Sequence, residues 1–213
     1  MLLHTVRLTR FRRMLDAVNL RRCFASIAAL AVALAIALPV SASVMIALDL
    51  PTLVQRASHV MVVRVESQHA RWDARGRIVT DVSLRVEESM KGAAAPGALV
   101  VLERFGGAIG DVGMRVEGEP MFADSSRVLV FAVPSVADPA HLRPLGMAQG
   151  VMPIRARAAA NGDDLVLPGG DGLALMQRVN GGLVAAPPAI IAPRALSDVR
   201  DTIGALLEAR HGR

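Results

Sequence analysis

Residues 59–92 read HVMVVRVESQHARWDARGRIVTDVSLRVEESMKG, two long strands joined by a polar turn. In the second strand Ile78, Thr80, Val82, Leu84 and Val86 alternate with Val79, Asp81, Ser83, Arg85 and Glu87. Side chains alternate across a strand, so the first set predicts a core face and the second a wet face. The first strand differs. Val60, Met61, Val62, Val63 and Val65 place apolar side chains on both faces of its first half. That pattern suits a strand buried on both sides near its start and emerging further along. The link ARWDARGR (70–77) carries the turn residues Asp73 and Gly76. It is too long for a two-residue hairpin turn, which predicts splayed or bulged strand ends there. Lys91-Gly92 closes the second strand, and AAAPG (93–97) makes a loop.

Working outward, LDLPTLVQRAS (48–58) reads as a short helix, with Asp49 as cap, Pro51 in the first turn and an apolar stripe of Leu50, Leu53, Val54 and Ala57. ALVVLERF (98–105) is a third strand. FGGAIGDVGMRVEGEPMF (105–122) is glycine-rich, with a short alternation at Met114–Glu117. RVLVFAV (127–133) is almost wholly apolar and reads as a central strand. LRPLGMAQGVMPIRAR (142–157) is a further β segment bent at Gly146, Gly150 and Pro153. From 158 to 193 the pattern weakens. Asn161-Gly162 and Asn180-Gly181 signal turns, DLVLPGGDGLALMQRV (164–179) suits a small hairpin, and GGLVAAPPAIIAP (181–193) reads as a surface linker. The end, LSDVRDTIGALLEARHGR, is an amphipathic helix capped by Ser197, with Val199, Ile203, Leu206 and Leu207 on one face. The expected organisation is a signal peptide over 1–42, a β domain over 43–157, an irregular extension over 158–193 and a C-terminal helix over 194–213. Irregularly spaced strands between two helices point to an antiparallel barrel or sandwich with helices outside.

The leader explains the charge. The chain has 213 residues and a formal charge of +5. Six of its 24 basic residues but only one of its 19 acids, Asp16, precede residue 23, so the rest balances at 18 of each. A phosphate-binding footprint is not supported. The arginine-rich start is followed by FASIAALAVALAIALPVSAS (24–43). Its apolar run from Phe24 to Leu38 suits a signal-peptide core and is short for a membrane span of about 20 residues. Val40-Ser41-Ala42 places the cut after Ala42. The alternative is an uncleaved anchor, because apolar character resumes at Val44. Arg12-Arg13 fits a twin-arginine signal poorly, and Met14 is an alternative start. Cys23, the single cysteine, precedes the cut. A mature chain without cysteine has neither thiol catalysis nor thiolate metal sites.

The chemistry-bearing residues are sparse. Gly106, Gly107, Gly110, Gly113 and Gly118 lack the following helix and Lys-Ser/Thr that a phosphate cradle needs. They read as turns and bulges at a barrel rim, or as a flexible partner-contacting loop. His59, His69, His141 and His211 show no metal-site spacing, although His59 and His69 share strand parity and Asp73 is near. His59 reads as a hydrogen-bonded partner of the preceding helix end. No serine has a G-x-S-x-G context. Glu87-Glu88 and Asp163-Asp164 are adjacent, point opposite ways and read as solvated. With no Tyr, one Trp and five Phe, two of them in the leader, stacking platforms for nucleic acid are missing. Trp72 and Arg75 in the long turn are residue types enriched in binding hot spots, although Trp72 also suits a side chain folded over the barrel end.

ASHVMVVRVESQ (57–68), TDVSLRVEESMKG (80–92) and VLVFAV (128–133) together resemble the β core of netrin-like, or tissue-inhibitor-of-metalloproteinase-like, modules. They are also similar to exported bacterial proteins of comparable layout. The likeness covers Leu48 to Arg157. It implies an OB-type five-stranded barrel with flanking helices that acts by binding. The inhibitors chelate protease zinc through an N-terminal cysteine; this chain lacks one, so that route is not carried over. The expectation is an exported, periplasmic or extracellular, non-enzymatic barrel. Its partner is a protein or envelope component, bound through Trp72, Arg75, Gly106, Gly107 and Gly110, with no cofactor, no metal and no nucleic acid. Membrane contact is expected only if the leader is kept. The competing classes are a metal-dependent or hydrolytic enzyme using His59, His69 or His141 and, if the leader is kept, a membrane-anchored structural protein.

Overall fold

The computed structural model of the chain describes residues 43–157 and 162–211. The expected signal peptide, residues 1–42, lies outside them. In chain order the first part runs β1 (Ser43–Ile46), α1 (Leu50–Arg56), β2 (His59–Trp72), β3 (Ile78–Lys91) and β4 (Leu99–Phe105). A small hairpin follows, β5 (Gly107–Ile109) with β6 (Val112–Met114). Next come β7 (Arg127–Pro134), β8 (Leu142–Pro144), a 3-10 turn (Met147–Gly150) and β9 (Val151–Arg155). The last part holds β10 (Leu165–Val166), β11 (Leu173–Val179), β12 (Gly182–Ala185), β13 (Arg194–Ala195) and α2 (Leu196–His211). The chain is mainly β with a C-terminal helix. Among the described residues no helix is long and apolar enough to cross a membrane.

The main sheet has the order β13-β10-β9-β7-β2-β3-β4-β8, and β8 pairs a second time, with β7. The pairings β7-β2-β3-β4-β8-β7 therefore return on themselves. The sequence reading expects antiparallel strands throughout; β4–β8 and β1–β11 are parallel instead. Parallel neighbours need a long connection, and the segments Phe105 to Leu142 and Ile46 to Leu173 supply it. Such distant partners leave no mark on local periodicity.

Two hydrophobic cores share β2. On one face Met61, Val63 and Val65 meet Val82, Leu84 and Val86 of β3, Leu102 of β4, and Val128, Val130 and Ala132 of β7. On the other, Val60 and Val62 join Leu129 and Phe131 of β7 beneath Leu53 and Val54 of α1 and Val199 and Ile203 of α2. Val60, Met61, Val62 and Val63 are all fully buried, so the continuous apolar run is a strand covered on both sides. Each such side chain contributes about 1.5–3 kcal/mol. An exposed ion pair contributes about 0–1 kcal/mol. These two cores therefore outweigh the surface charges in setting the fold.

Asp49 Oδ1 accepts the Thr52 N–H at 2.9 Å, and Pro51 occupies the first turn of α1. The other end of α1 is held by Lys91, whose Nζ donates to the carbonyls of Val54 (2.7 Å), Gln55 (3.1 Å) and Ala57 (2.5 Å). A cation at a helix C-terminus also complements the helix dipole. The expected partner of that end, His59, makes no such bond: its Nδ1 is buried without a hydrogen-bond partner among the described residues, and burial lowers its pKa. Gly92 has φ +98°, and a Cβ there would lie 2.6 Å from His59 Cδ2 and 2.9 Å from the Ser58 carbonyl oxygen. Lys91-Gly92 is thus the joint between β3 and the start of β2.

The bulges of the long hairpin are not at its turn. Register shifts fall between Val60 and Met61, Val62 and Val63, and Val65 and Ser67, whereas pairing continues to Trp72–Ile78. The turn needs no splaying because Asp73 organises it internally. Gly146 (φ +68°) and Gly150 bend the chain as expected, but Pro153 lies inside β9 opposite Val128. The 164–179 stretch is not one hairpin: β10 extends the main sheet beside β9, and β11 pairs with β1 and β12 in a separate three-stranded sheet. The hairpin is β11–β12, turning at Asn180 (φ +49°) and Gly181 (φ +83°). The supposed linker contributes β12 and buries Ile190 in the helix-side core. In α2 the cap is supplied from outside the helix, since Asp163 Oδ2 accepts the Ser197 N–H at 2.7 Å.

The register yields a direct test. Val82→Asp places an unpaired charge in the core and is expected to cost several kcal/mol. Arg85, exposed and paired with Glu66 at 2.7 Å, is expected to shift the midpoint little on truncation to Ala. Urea unfolding midpoints check both, and similar losses would show that the faces are assigned wrongly.

Candidate functional site

The outward face where β2, β3, β4 and β8 meet carries a connected set of charges. On β2–β3, Arg71 sits diagonally from Asp81. Its Nε donates to Asp81 Oδ2 at 2.6 Å and its Nη2 to Glu103 Oε2 at 2.8 Å. Arg143 of β8 reaches the same carboxylate, Nη1 to Glu103 Oε1 at 3.2 Å, and Glu119 Oε1 through Nη2 at 3.2 Å. The register explains the set. Asp81 lies opposite Glu103, and Leu102 lies beside Leu142, so Glu103 and Arg143 emerge on one face. Phe105 provides a floor, with the guanidinium carbons of Arg143 and Arg77 at 3.9 and 4.6 Å from its ring centroid. Stacking of this kind holds a cation flat against a ring. The hydrogen bond to Asp81 chiefly raises the Arg71 pKa.

Beside this face lies a cleft of about 630 Å³. One wall is the β2–β3 turn, with Asp73, Arg75 and Arg77; the other is the β7–β8 loop, with Val136, Asp138 and His141. The turn is rigid by its own bonds. Asp73 Oδ1 accepts the backbone N–H groups of Arg75 (2.9 Å) and Arg77 (2.8 Å), and Oδ2 accepts Arg77 Nε at 2.8 Å. The backbone bond from Arg77 leads the causes that lower the Asp73 pKa to about 2.

The expected site residues do not form one constellation. Arg75 is exposed and lines the cleft. Trp72, 50% exposed, has the opposite strand parity and stands with Ile78 at the end of the inner face. Gly110 is at the exposed tip of the β5–β6 hairpin. Gly106 and Gly107 line a different cavity, and their lack of a side chain is structural. A Cβ on Gly106 would lie 2.7 Å from the Met114 carbonyl oxygen, and one on Gly107 would lie 2.5 Å from Thr80 Oγ1. Thr80 Oγ1 donates to the Gly106 carbonyl at 2.6 Å.

His59 and His69 start and nearly finish one strand, ten residues apart, about 30 Å at strand rise. They cannot share an ion. The group among the described residues with metal-compatible spacing is Asp81, Glu103 and His141, whose ligand atoms lie within 4.8 Å of one another. Arg71 already occupies both carboxylates. The adjacent acid pairs are half-buried partners rather than solvated groups, and Glu87 and Glu88 do not face opposite ways: a register shift sets Glu87 beside Glu88, and both meet arginines on the helix side of the sheet. Glu87 pairs with Arg64 (2.7 Å) and Arg127 (2.6 Å), Glu88 with Arg200 of α2 (2.7 Å), and Asp164 with Arg127. Sequence reasoning missed Glu103, Glu119 and Arg143. Glu103 and Arg104 fall in ALVVLERF, which reads only as a third strand, and no local pattern marks their partners.

No protein-family model matches the chain, and no curated protein sequence matches it.

Asp73 gives the site a pH signature. Its pKa is depressed in the folded chain, so its contribution is complete above about 3.8 and is lost as pH falls through about 2. Stability measured by denaturant between pH 5 and pH 2 is expected to fall less steeply in Asp73→Ala than in the parent. Parallel acid limbs would show that the turn does not depend on the carboxylate.

Proposed function

We propose that the chain is an exported, non-enzymatic binding module built on an OB-type five-stranded barrel, whose partner is a protein or envelope component. The observation that carries this reading is the position of the cleft. Numbered in chain order, β2, β3, β4, β7 and β8 are its strands one to five. The cleft opens between the loop joining the first two and the loop joining the last two. Those are the loops with which OB barrels meet extended ligands. Loops at one end of a braced barrel combine adaptable backbone with fixed strand ends.

The charge pattern supports binding over acid–base chemistry. Glu103 has both oxygens bonded to arginines, which leaves neither oxygen open to a substrate. It also favours a mixed-charge partner surface over a polyanion, because Arg71, Arg77 and Arg143 are each paired with acids on the chain itself. Arg75 is left to reach outward into the cleft, and Trp72, half-exposed with the opposite strand parity, offers an apolar anchor at the same end of the hairpin. The leader and the cysteine-free mature chain support export.

A metal-dependent enzyme is the second reading, favoured by Asp81, Glu103 and His141. Stoichiometric transition metal in purified protein, lost on His141→Ala, would establish it. The binding reading is tested by pull-down from the native envelope fraction. Trp72→Ala combined with Arg75→Ala is expected to lose the partner retained by the parent, with the thermal midpoint nearly unchanged. Retained affinity with lowered stability would move the contact surface elsewhere. N-terminal sequencing of the exported form is expected to begin at Ser43, and a start before Arg22 would contradict cleavage.

A further inference from the structure

A second cavity, about 400 Å³, lies where the end of β4, the β5–β6 hairpin and the 115–121 segment meet the Asp171–Gly172 turn. Two charged side chains in its lining are more than nine-tenths buried, Arg104 (9% exposed) and Glu119 (8% exposed). Each keeps one unpartnered atom, although Glu119 Oε1 accepts from Arg143 Nη2 at 3.2 Å. Arg104 Nε and Glu119 Oε2 are buried without hydrogen-bond partners, and the one bond from Arg104 is a long 3.5 Å contact with the Phe105 carbonyl. Glu119 is close enough to attract Arg104 electrostatically, yet no ion pair joins them among the described residues. A buried guanidinium without a partner is costly. A buried carboxylate with one idle oxygen is costly in the same way.

The remaining charges in the lining define what fits. Arg115 and Glu117 neutralise each other at 2.7 Å. That leaves Arg104 facing Glu119 and the exposed Asp171, so a bare anion meets two acids and a bare cation meets an arginine. Met114, Val116 and Met121 supply an apolar side. We infer that this cavity binds the zwitterionic head of an apolar α-amino acid. Its carboxylate takes the planar donors of Arg104, its ammonium donates to Glu119 Oε2, and its side chain lies against the methionines. Planar bidentate recognition of a carboxylate is the geometry to which a guanidinium is suited. Gly106 and Gly107 line the cavity as well. The site differs in ligand and place from the cleft between the loops, and the inference does not rest on the binding proposed for that cleft.

Calorimetric titration of the purified protein with L-leucine, N-acetyl-L-leucine and L-leucinamide tests the inference. Saturable binding of leucine is expected, with each derivative weaker by roughly tenfold or more, since each lacks one charged contact. Arg104→Gln and Glu119→Gln are expected to weaken leucine binding by at least about tenfold. Without ligand, Arg104→Gln is expected to leave the thermal midpoint unchanged or higher, because it removes an unpaired buried cation. Absence of saturable leucine binding at millimolar concentration overturns the inference. So does N-acetyl-leucine binding as tightly as leucine, which would make the site a peptide carboxyl-terminus pocket. A lowered midpoint in ligand-free Arg104→Gln would likewise show that Arg104 serves the fold.

Discussion

The first half of β2 is the constraint on which the rest depends. Val60 to Val63 are buried on alternating faces of one strand, so the chain must build a hydrophobic layer on each side of it. The ring strands supply one layer, and α1, β9 and α2 supply the other. Neither layer is complete without β2, and β7 is its counterpart, dividing its own side chains between the same two cores. A polar substitution in Val60–Val63 therefore damages whichever core its parity selects.

Two polar devices then fix how the layers are tied. Lys91 binds the last carbonyls of α1, and Gly92 lets β3 pass His59 at a distance no side chain would tolerate. On the helix-side core, buried Gln149 accepts the Leu48 N–H at 2.8 Å and donates to the Ile46 carbonyl at 3.2 Å. These bonds satisfy backbone groups where β1 hands over to α1, which would otherwise be left unpaired beside the core. At the opposite face the Arg71–Glu103–Arg143–Glu119 chain of bonds stiffens strand ends that carry the cleft. It also runs on to Glu119 in the second cavity, so the two surfaces share one electrostatic scaffold.

Much of the fold was legible in local sequence. Alternation in 78–87 marked the faces of β3, the apolar run of 127–133 marked a central strand, and the 3.6-residue stripe of Val199 and Ile203 marked the buried side of α2. The candidate site was far less legible. Asp73 and Gly76 announced a turn, and Arg75 its reach, but Glu103, Arg104, Glu119 and Arg143 carried no pattern. They come from separate segments of the chain, and only the sheet brings them within bonding distance. The acid pairs read as solvated for the same reason, because the arginines that hold them, such as Arg200 beside Glu88, are distant in sequence.

By itself the sequence determined the long strands β2, β3, β4 and β7, the two helices and their apolar faces, because side-chain period and turn chemistry are local properties of the backbone. Only the tertiary structure decided that β8 would close on both β4 and β7, that β1 would run parallel to β11, and that a loop pair would open a cleft at one end. Strand partnership is a choice among distant segments of similar apolar character. That choice is settled by which arrangement buries both faces of β2 at once, a condition no single window of residues contains.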